Sequence, residues 1–281
     1  MALRNPWEPP AKIEKDYSKA IRQALSVLLG IDTMQGLTSA AEILTGSPEW
    51  HELCRGIAAR MVTSTLTWED KTWRAAARRG SRGGEIYQGI QEILQTDVGL
   101  AYRQAINRNA ELISSLPEDI RRHVNERIST QVLRGARPET IAGMVEEYLP
   151  QEVKTRAMLI ARTESAKAHA ELTRARAQAS GMEWYVWHST HDSRVRKSHA
   201  HMDGVICAWR NPPSPEALIG EKSVGNYNPG GIWNCRCFAE PINPDIIREQ
   251  LGPGPFKVYR GGTSFQRMTI AQVERMILNG A

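Results

Sequence analysis

RTESAKAHAELTRARAQASGMEWYVWHSTHDSRVRKSHAHMDGVIC occupies residues 162–207, and NCRCFAEP follows at 234–241 beyond a Pro- and Gly-rich interval. This run holds five of the seven histidines and three of the four cysteines of the 281-residue chain. Residues 151–180 contain neither Gly nor Pro and are rich in Ala, which predicts one long helix stopped by Gly181. The aromatic and β-branched run WYVWH at 184–188 predicts a strand. Asp192 or Ser193 can cap a short helix ending near His201, and Asp203 with Gly204 forms a turn. Short strands follow at 205–207 and 235–240, separated by a loop at 211–231. The fold class is therefore α+β: a long helix packed on a short antiparallel sheet.

Upstream of this module the sequence reads as helical. Apolar residues from Ile13 to Leu28 recur at helical spacing, and Gly30 is placed to close that helix. Further helices are expected at 38–45, 49–66, 67–79, 85–95, 97–115, 117–134 and 138–148. Ser47 reads as an N-cap with Pro48 at the first helical position, and Thr67 reads as the cap of the next helix. Pro150 reads as a helix end. Strand and helix patterns near 256–260 and 269–278 follow the module. Three segments result: a helical region over 1–149, the α+β domain over 150–245 and a C-terminal tail over 246–281.

Net charge is +5, compatible with nucleic acid or an acidic partner. No apolar run approaches the roughly 18 residues of a membrane span, so no membrane partner is expected. The opening MALRNPWEPP has no apolar signal-peptide core, and four scattered cysteines do not form a secreted disulfide framework. A cytosolic origin with reduced thiols is the expectation.

Three constellations carry chemistry. Cys207, Cys235 and Cys237 with His199 or His201 offer thiolate and imidazole, the preferred zinc ligands, so zinc is the candidate cofactor. The bland alternative is buried reduced thiols acting as small hydrophobes. His188, His191, Asp192, His199, His201 and Asp203 could instead activate water on a phosphodiester, as in a metal-dependent nuclease. No motif fixes such a mechanism, and structural hydrogen bonding is the simpler reading, so no catalytic residue is assigned and the chain is read as a non-enzyme. Basic residues gather at Lys71, Arg74, Arg78, Arg79 and Arg82, and again at Arg194, Arg196 and Lys197. Each set is either a solvated face or a contact for double-stranded DNA or a protein partner. Trp68, Trp73, Trp184 and Trp187 fit either a core or interface anchors.

Arg162 and Glu164, Gly181, Trp187, Asp192, Arg194, Arg196 and His199, Asp203 and Gly204, then Asn234, Cys235, Arg236, Cys237 and Pro241 form an ordered set of short motifs. This order resembles the phage Mu F-like family of minor head, or head-morphogenesis, proteins. The resemblance covers roughly a third of the chain. It implies few copies per capsid, association with the portal protein during procapsid assembly, contact with major capsid or scaffolding protein, and a part in DNA packaging or ejection. It places the chain in the capsid interior, after assembly in the host cytoplasm. No enzymatic activity is established for the family domain, and Cys207 has no counterpart in its pattern. A zinc-stabilised adaptor without a portal role is the other non-enzymatic reading.

Overall fold

The computed structural model describes residues 5–78 and 97–279. Among these residues the helices are α1 (Ala11–Ala24), α2 (Met34–Gly46), α3 (Pro48–Ala77), α4 (Asp97–Ser114), α5 (Leu116–Leu133), α6 (Pro138–Ala179), α7 (Lys197–His201), α8 (Ile247–Leu251) and α9 (Ile270–Leu278). The strands are β1 (Trp184–His188), β2 (Ile206–Ala208), β3 (Phe238–Pro241), β4 (Phe256–Val258) and β5 (Gln266–Met268). No described helix is long and apolar enough to cross a membrane. The helix expected at 85–95 lies outside the described residues.

Two helix boundaries read from the sequence give way to continuous helices. Ser47 does cap α3, its Oγ accepting from Trp50 N at 3.2 Å. Thr67, however, lies inside α3, because its surroundings contain no Gly or Pro to end a helix and supply apolar anchors on both sides, Val62 and Trp73. Pro150 likewise sits within α6. It removes one backbone donor, but Leu149, Val153 and Ala157 are buried around it and hold the helix on course. The boundary expected at 149/150 thus falls in the middle of a helix.

The chain divides into two compact units, one of residues 10–64 and 103–165, the other of residues 1–9, 65–102 and 166–281. The first is helical. Leu116, Ile120, Val124 and Ile128 recur every fourth residue on α5 and are all buried, as helical periodicity requires. Polar groups inside this unit are paired. Tyr17 donates to Asn109 Oδ1 at 2.7 Å, and Trp50 Nε1 donates to the Ser114 carbonyl at 3.1 Å.

The second unit carries a five-stranded sheet in the order β3-β1-β2-β4-β5. β1 is antiparallel to both β2 and β3, and β4 is antiparallel to β5, but β2 and β4 run parallel. The sheet is therefore mixed, where an antiparallel one was expected, and the C-terminal segment 246–281 contributes to it. Its β4 and β5 extend the sheet, and α9 covers one face through Val273.

Alternation along β1 explains why WYVW is apolar throughout. Tyr185 and Trp187 face one core with Cys207, Trp209, Cys235, Cys237 and Phe238. Trp184 faces the other with Ile206, Ile242, Ile247, Val258 and Val273. Both faces of β1 are covered, so neither needs a polar row. Trp73, Trp184 and Trp187 are core residues, each at most 3% exposed, and not surface anchors. Trp68 is half-buried, edge-on to the His169 ring.

Candidate functional site

Among the described residues, His199 is the centre of the one place where ligating side chains converge. It sits in the short α7, whose entry is tied down by Arg196, which donates to the Trp233 carbonyl at 3.0 Å. The segment 234–237 approaches from the other side. Asn234 takes a left-handed conformation (φ 56°), one of the few residue types that tolerates it. Past that turn the chain extends toward β3, so Cys235 and Cys237, two residues apart, present their thiols to the same side. Arg236 between them points away and pairs with Asp192.

Both sulfurs reach the same nitrogen. Cys235 Sγ lies 3.5 Å and Cys237 Sγ 3.4 Å from His199 Nδ1. All three residues are buried, at no more than 5% exposure. Among the described residues, only these three form a group of His, Cys, Asp or Glu ligand atoms lying within 4.8 Å of one another. The two thiols titrate as a pair. Hydrogen bonding from Cys237 is the largest influence holding Cys235 well below the ordinary thiol value, and the same bond, together with burial, pushes Cys237 up.

The far side of the imidazole is fixed by residues from the loop that sequence reading left unassigned. His199 Nε2 lies 3.0 Å from Tyr227 Oη, and Tyr227 donates its own proton to Glu216 Oε1 at 2.7 Å. Ser198 Oγ donates to the same carboxylate oxygen at 3.2 Å. With the tyrosine proton committed to Glu216, the Tyr227 oxygen accepts from His199 Nε2–H, leaving the Nδ1 lone pair directed at the sulfurs. Burial and then the Glu216 carboxylate push the Tyr227 phenol well up, which keeps it a donor. Nothing in the 211–231 interval marked Tyr227 or Glu216 beforehand, beyond their being large polar residues in a Pro/Gly-rich loop.

Gly230 closes the cradle. Its N–H points at Cys235 Sγ over 3.4 Å. Its φ is +81°, and a Cβ there would lie 3.0 Å from both the Ala166 carbonyl and the Ala170 Cβ on α6. Gly230→Ala is expected to destabilise the chain by roughly 2–4 kcal/mol, combining left-handed strain with overpacking. Denaturant titration of the purified variant checks this.

The remaining motif residues separate into distinct structural tasks. Arg162 pairs with Glu14 at 3.4 Å and Glu164 with Arg108 at 2.9 Å, so the two point to different partners from one helix. Asp192 accepts from the Arg194 backbone N–H at 2.9 Å and pairs with Arg236. Burial raises its carboxyl pKa, but those contacts outweigh it and hold the value below the usual carboxylate range. Asp203 accepts from Ser189 N at 2.7 Å and lies 3.5 Å from His191. Gly204, at φ +73°, donates to the Trp187 carbonyl at 2.8 Å. Asp192 with Arg194, Asp203 with its own partners, and His199 thus form three separate sets.

The candidate catalytic cluster disperses as well. His188 pairs with Glu240 at 2.8 Å, His191 with Asp203, and His201 stacks on Phe265. Cys207 does not join His199 either. Strand register sets it opposite Tyr185, where burial pushes its thiol well up. Of the basic patch, Lys71, Arg74 and Arg78 are exposed, while Arg79 and Arg82 lie outside the described residues. Arg194 and Lys197 are exposed and Arg196 is half-buried.

The His188–Glu240 pair gives this unit an acid-sensitive contact. Burial raises the Glu240 carboxyl pKa, but His188, Gln250 and Asn5 together overcome it and hold the value low. Stability from Glu240 is therefore present above its unfolded value near 4.3 and lost as pH falls through the lower folded value. Glu240→Gln should flatten the acid limb of the stability–pH profile while changing little of its shape near neutrality.

Residues 122–240 match the family described as Phage Mu protein F like protein, bearing out the resemblance read from the motifs at 162–241. An uncharacterized protein of Haemophilus influenzae is 34% identical over 143 residues, which cover 50% of this chain and 30% of that relative. The chain therefore matches under a third of the relative's length. No solved structure matches the chain.

Proposed function

We propose that this chain, with its Phage Mu F-like segment at 122–240, is a bacteriophage minor head protein that acts in procapsid assembly in association with the portal. One observation carries the reading: the match over 122–240 covers most of the residues, from Arg162 to Cys237, whose order first suggested the family. That family is one of phage head morphogenesis, which supports a virion protein in the capsid interior, assembled in the host cytoplasm. Major capsid or scaffolding protein is the further partner this role requires, and a part in DNA packaging or ejection follows from proximity to the portal.

The described site agrees with a structural role. Its histidines and acids pair off as local ties, and its converging ligands are buried. Co-expression with the portal protein of a phage that encodes this chain is the test. A defined complex that elutes together supports the assembly role, and clean separation at low and moderate salt contradicts portal binding. Double-stranded DNA is a secondary partner, motivated by the exposed Lys71, Arg74 and Arg78. Contact there requires affinity for duplex DNA that falls steeply with salt, and no binding at about 50 mM salt rules it out.

A further inference from the structure

We propose that His199, Cys235 and Cys237 hold one zinc ion in a closed structural site that ties α7 to the segment leading into β3. The geometry points to a metal rather than to packing alone. Zinc binds sulfur at about 2.3 Å and imidazole nitrogen at about 2.0–2.1 Å. A tetrahedral angle between those bonds places nitrogen and sulfur about 3.6 Å apart. The two observed separations, 3.5 Å and 3.4 Å, are close to that edge length. The approach is shared: both sulfurs face the same Nδ1, as two ligands on one ion must.

The surroundings of His199 are those of a metal-bound imidazole. Ligating histidines typically give their other ring N–H to a carboxylate or a polar oxygen, which fixes the tautomer. Here that oxygen is Tyr227 Oη, itself oriented by Glu216 Oε1. The relay leaves the lone pair on the nitrogen that faces the sulfurs. The Gly230 N–H near Cys235 Sγ would soften the charge on that thiolate.

Charge also balances. Two thiolates, one neutral imidazole and a divalent ion sum to zero, which a buried site favours over a lone thiolate. Both sulfurs bind as thiolates, any proton a thiol still carries leaving to solvent, while the Nδ1 lone pair enters coordination unchanged. Three protein ligands often mark catalytic zinc, but burial of all three to 5% exposure or less makes this site structural. Cys207 is not a ligand, since β2 directs it to Tyr185.

The test uses the full chain purified without chelator. Elemental analysis should find close to one zinc per chain. Cobalt exchanged into the wild-type protein should give thiolate-to-cobalt charge-transfer absorption, which reports the sulfurs without any substitution. Cys235→Ser and Cys237→Ser should lose both signals, while Cys207→Ser and Cys54→Ser keep them. Tyr227→Phe should keep the metal at full loading but weaken it about 10–100-fold in chelator competition, because only the outer hydrogen bond is gone. A folded chain free of metal that also fails to take up cobalt overturns the proposal. Zinc retained in Cys235→Ser, or lost in Cys207→Ser, overturns the assignment equally. Metal-dependent DNA cleavage lost in His199→Ala would overturn its structural character. None of these results depends on portal binding.

Discussion

Arg176→Leu is expected to lower stability by about 3–5 kcal/mol. The Arg176 side chain is fully buried on α6 and Glu69 is fully buried on α3. Glu69 Oε1 accepts from Thr173 Oγ1 at 3.2 Å and lies 2.8 Å from His169 Nδ1, while its other oxygen faces Arg176 Nε at 3.8 Å. Arg176 also pairs with Asp70, which is partly exposed. Removing the guanidinium returns Asp70 to water at small cost but leaves the Glu69 carboxylate buried without its arginine, beside His169 and Thr173. That stranded charge, more than any lost contact, sets the size of the effect. The double replacement Glu69→Leu with Arg176→Leu should recover part of it, because no charge is then stranded, although His169 Nδ1 and Thr173 Oγ1 lose their carboxylate partner. Denaturant unfolding of the two single variants and the double measures the coupling. A single-variant loss below about 1 kcal/mol would contradict this account.

Trp187→Ala should cost about as much, roughly 3–5 kcal/mol, by a different route. Trp187 is fully buried on β1 and lies edge-on to the His199 ring at 5.9 Å. It also lies 6.2 Å from the Tyr227 ring. Truncation opens a cavity beneath the imidazole and removes the wall against which the His199–Tyr227 relay is set. The variant should therefore lose stability and also bind zinc less tightly, whereas Trp184→Ala on the opposite face should lose stability alone. Trp184 belongs to the other core, with Ile206, Ile242 and Val258. Equal effects of the two variants on metal binding would contradict the separation of the faces.

Where local chemistry was decisive, the sequence was legible. β1 falls at the predicted residues because aromatic and β-branched side chains leave little alternative to a strand there. The start of α3 follows from Ser47 and Pro48, since capping depends on near neighbours. Misreadings arose where distant contacts decide. Pro150 and Thr67 carry local break signals that buried apolar neighbours override. The parallel pairing of β2 with β4 joins segments some fifty residues apart, and Gln266-Arg-Met is too polar to announce an edge strand. The same division holds at the site. Residue type alone singled out His199, Cys235 and Cys237, whereas strand register removed Cys207 and tertiary folding supplied Tyr227, Glu216 and Gly230.

The assembly reading rests on the segment at 122–240, and particle composition tests it most directly. Procapsids and mature heads from a phage or induced prophage encoding the chain would be purified and their proteins quantified by mass spectrometry. The account predicts this chain in procapsids, at a copy number far below that of the major capsid protein and close to that of the portal. Its absence from both procapsids and mature heads, with the protein abundant in the infected-cell lysate, would contradict it.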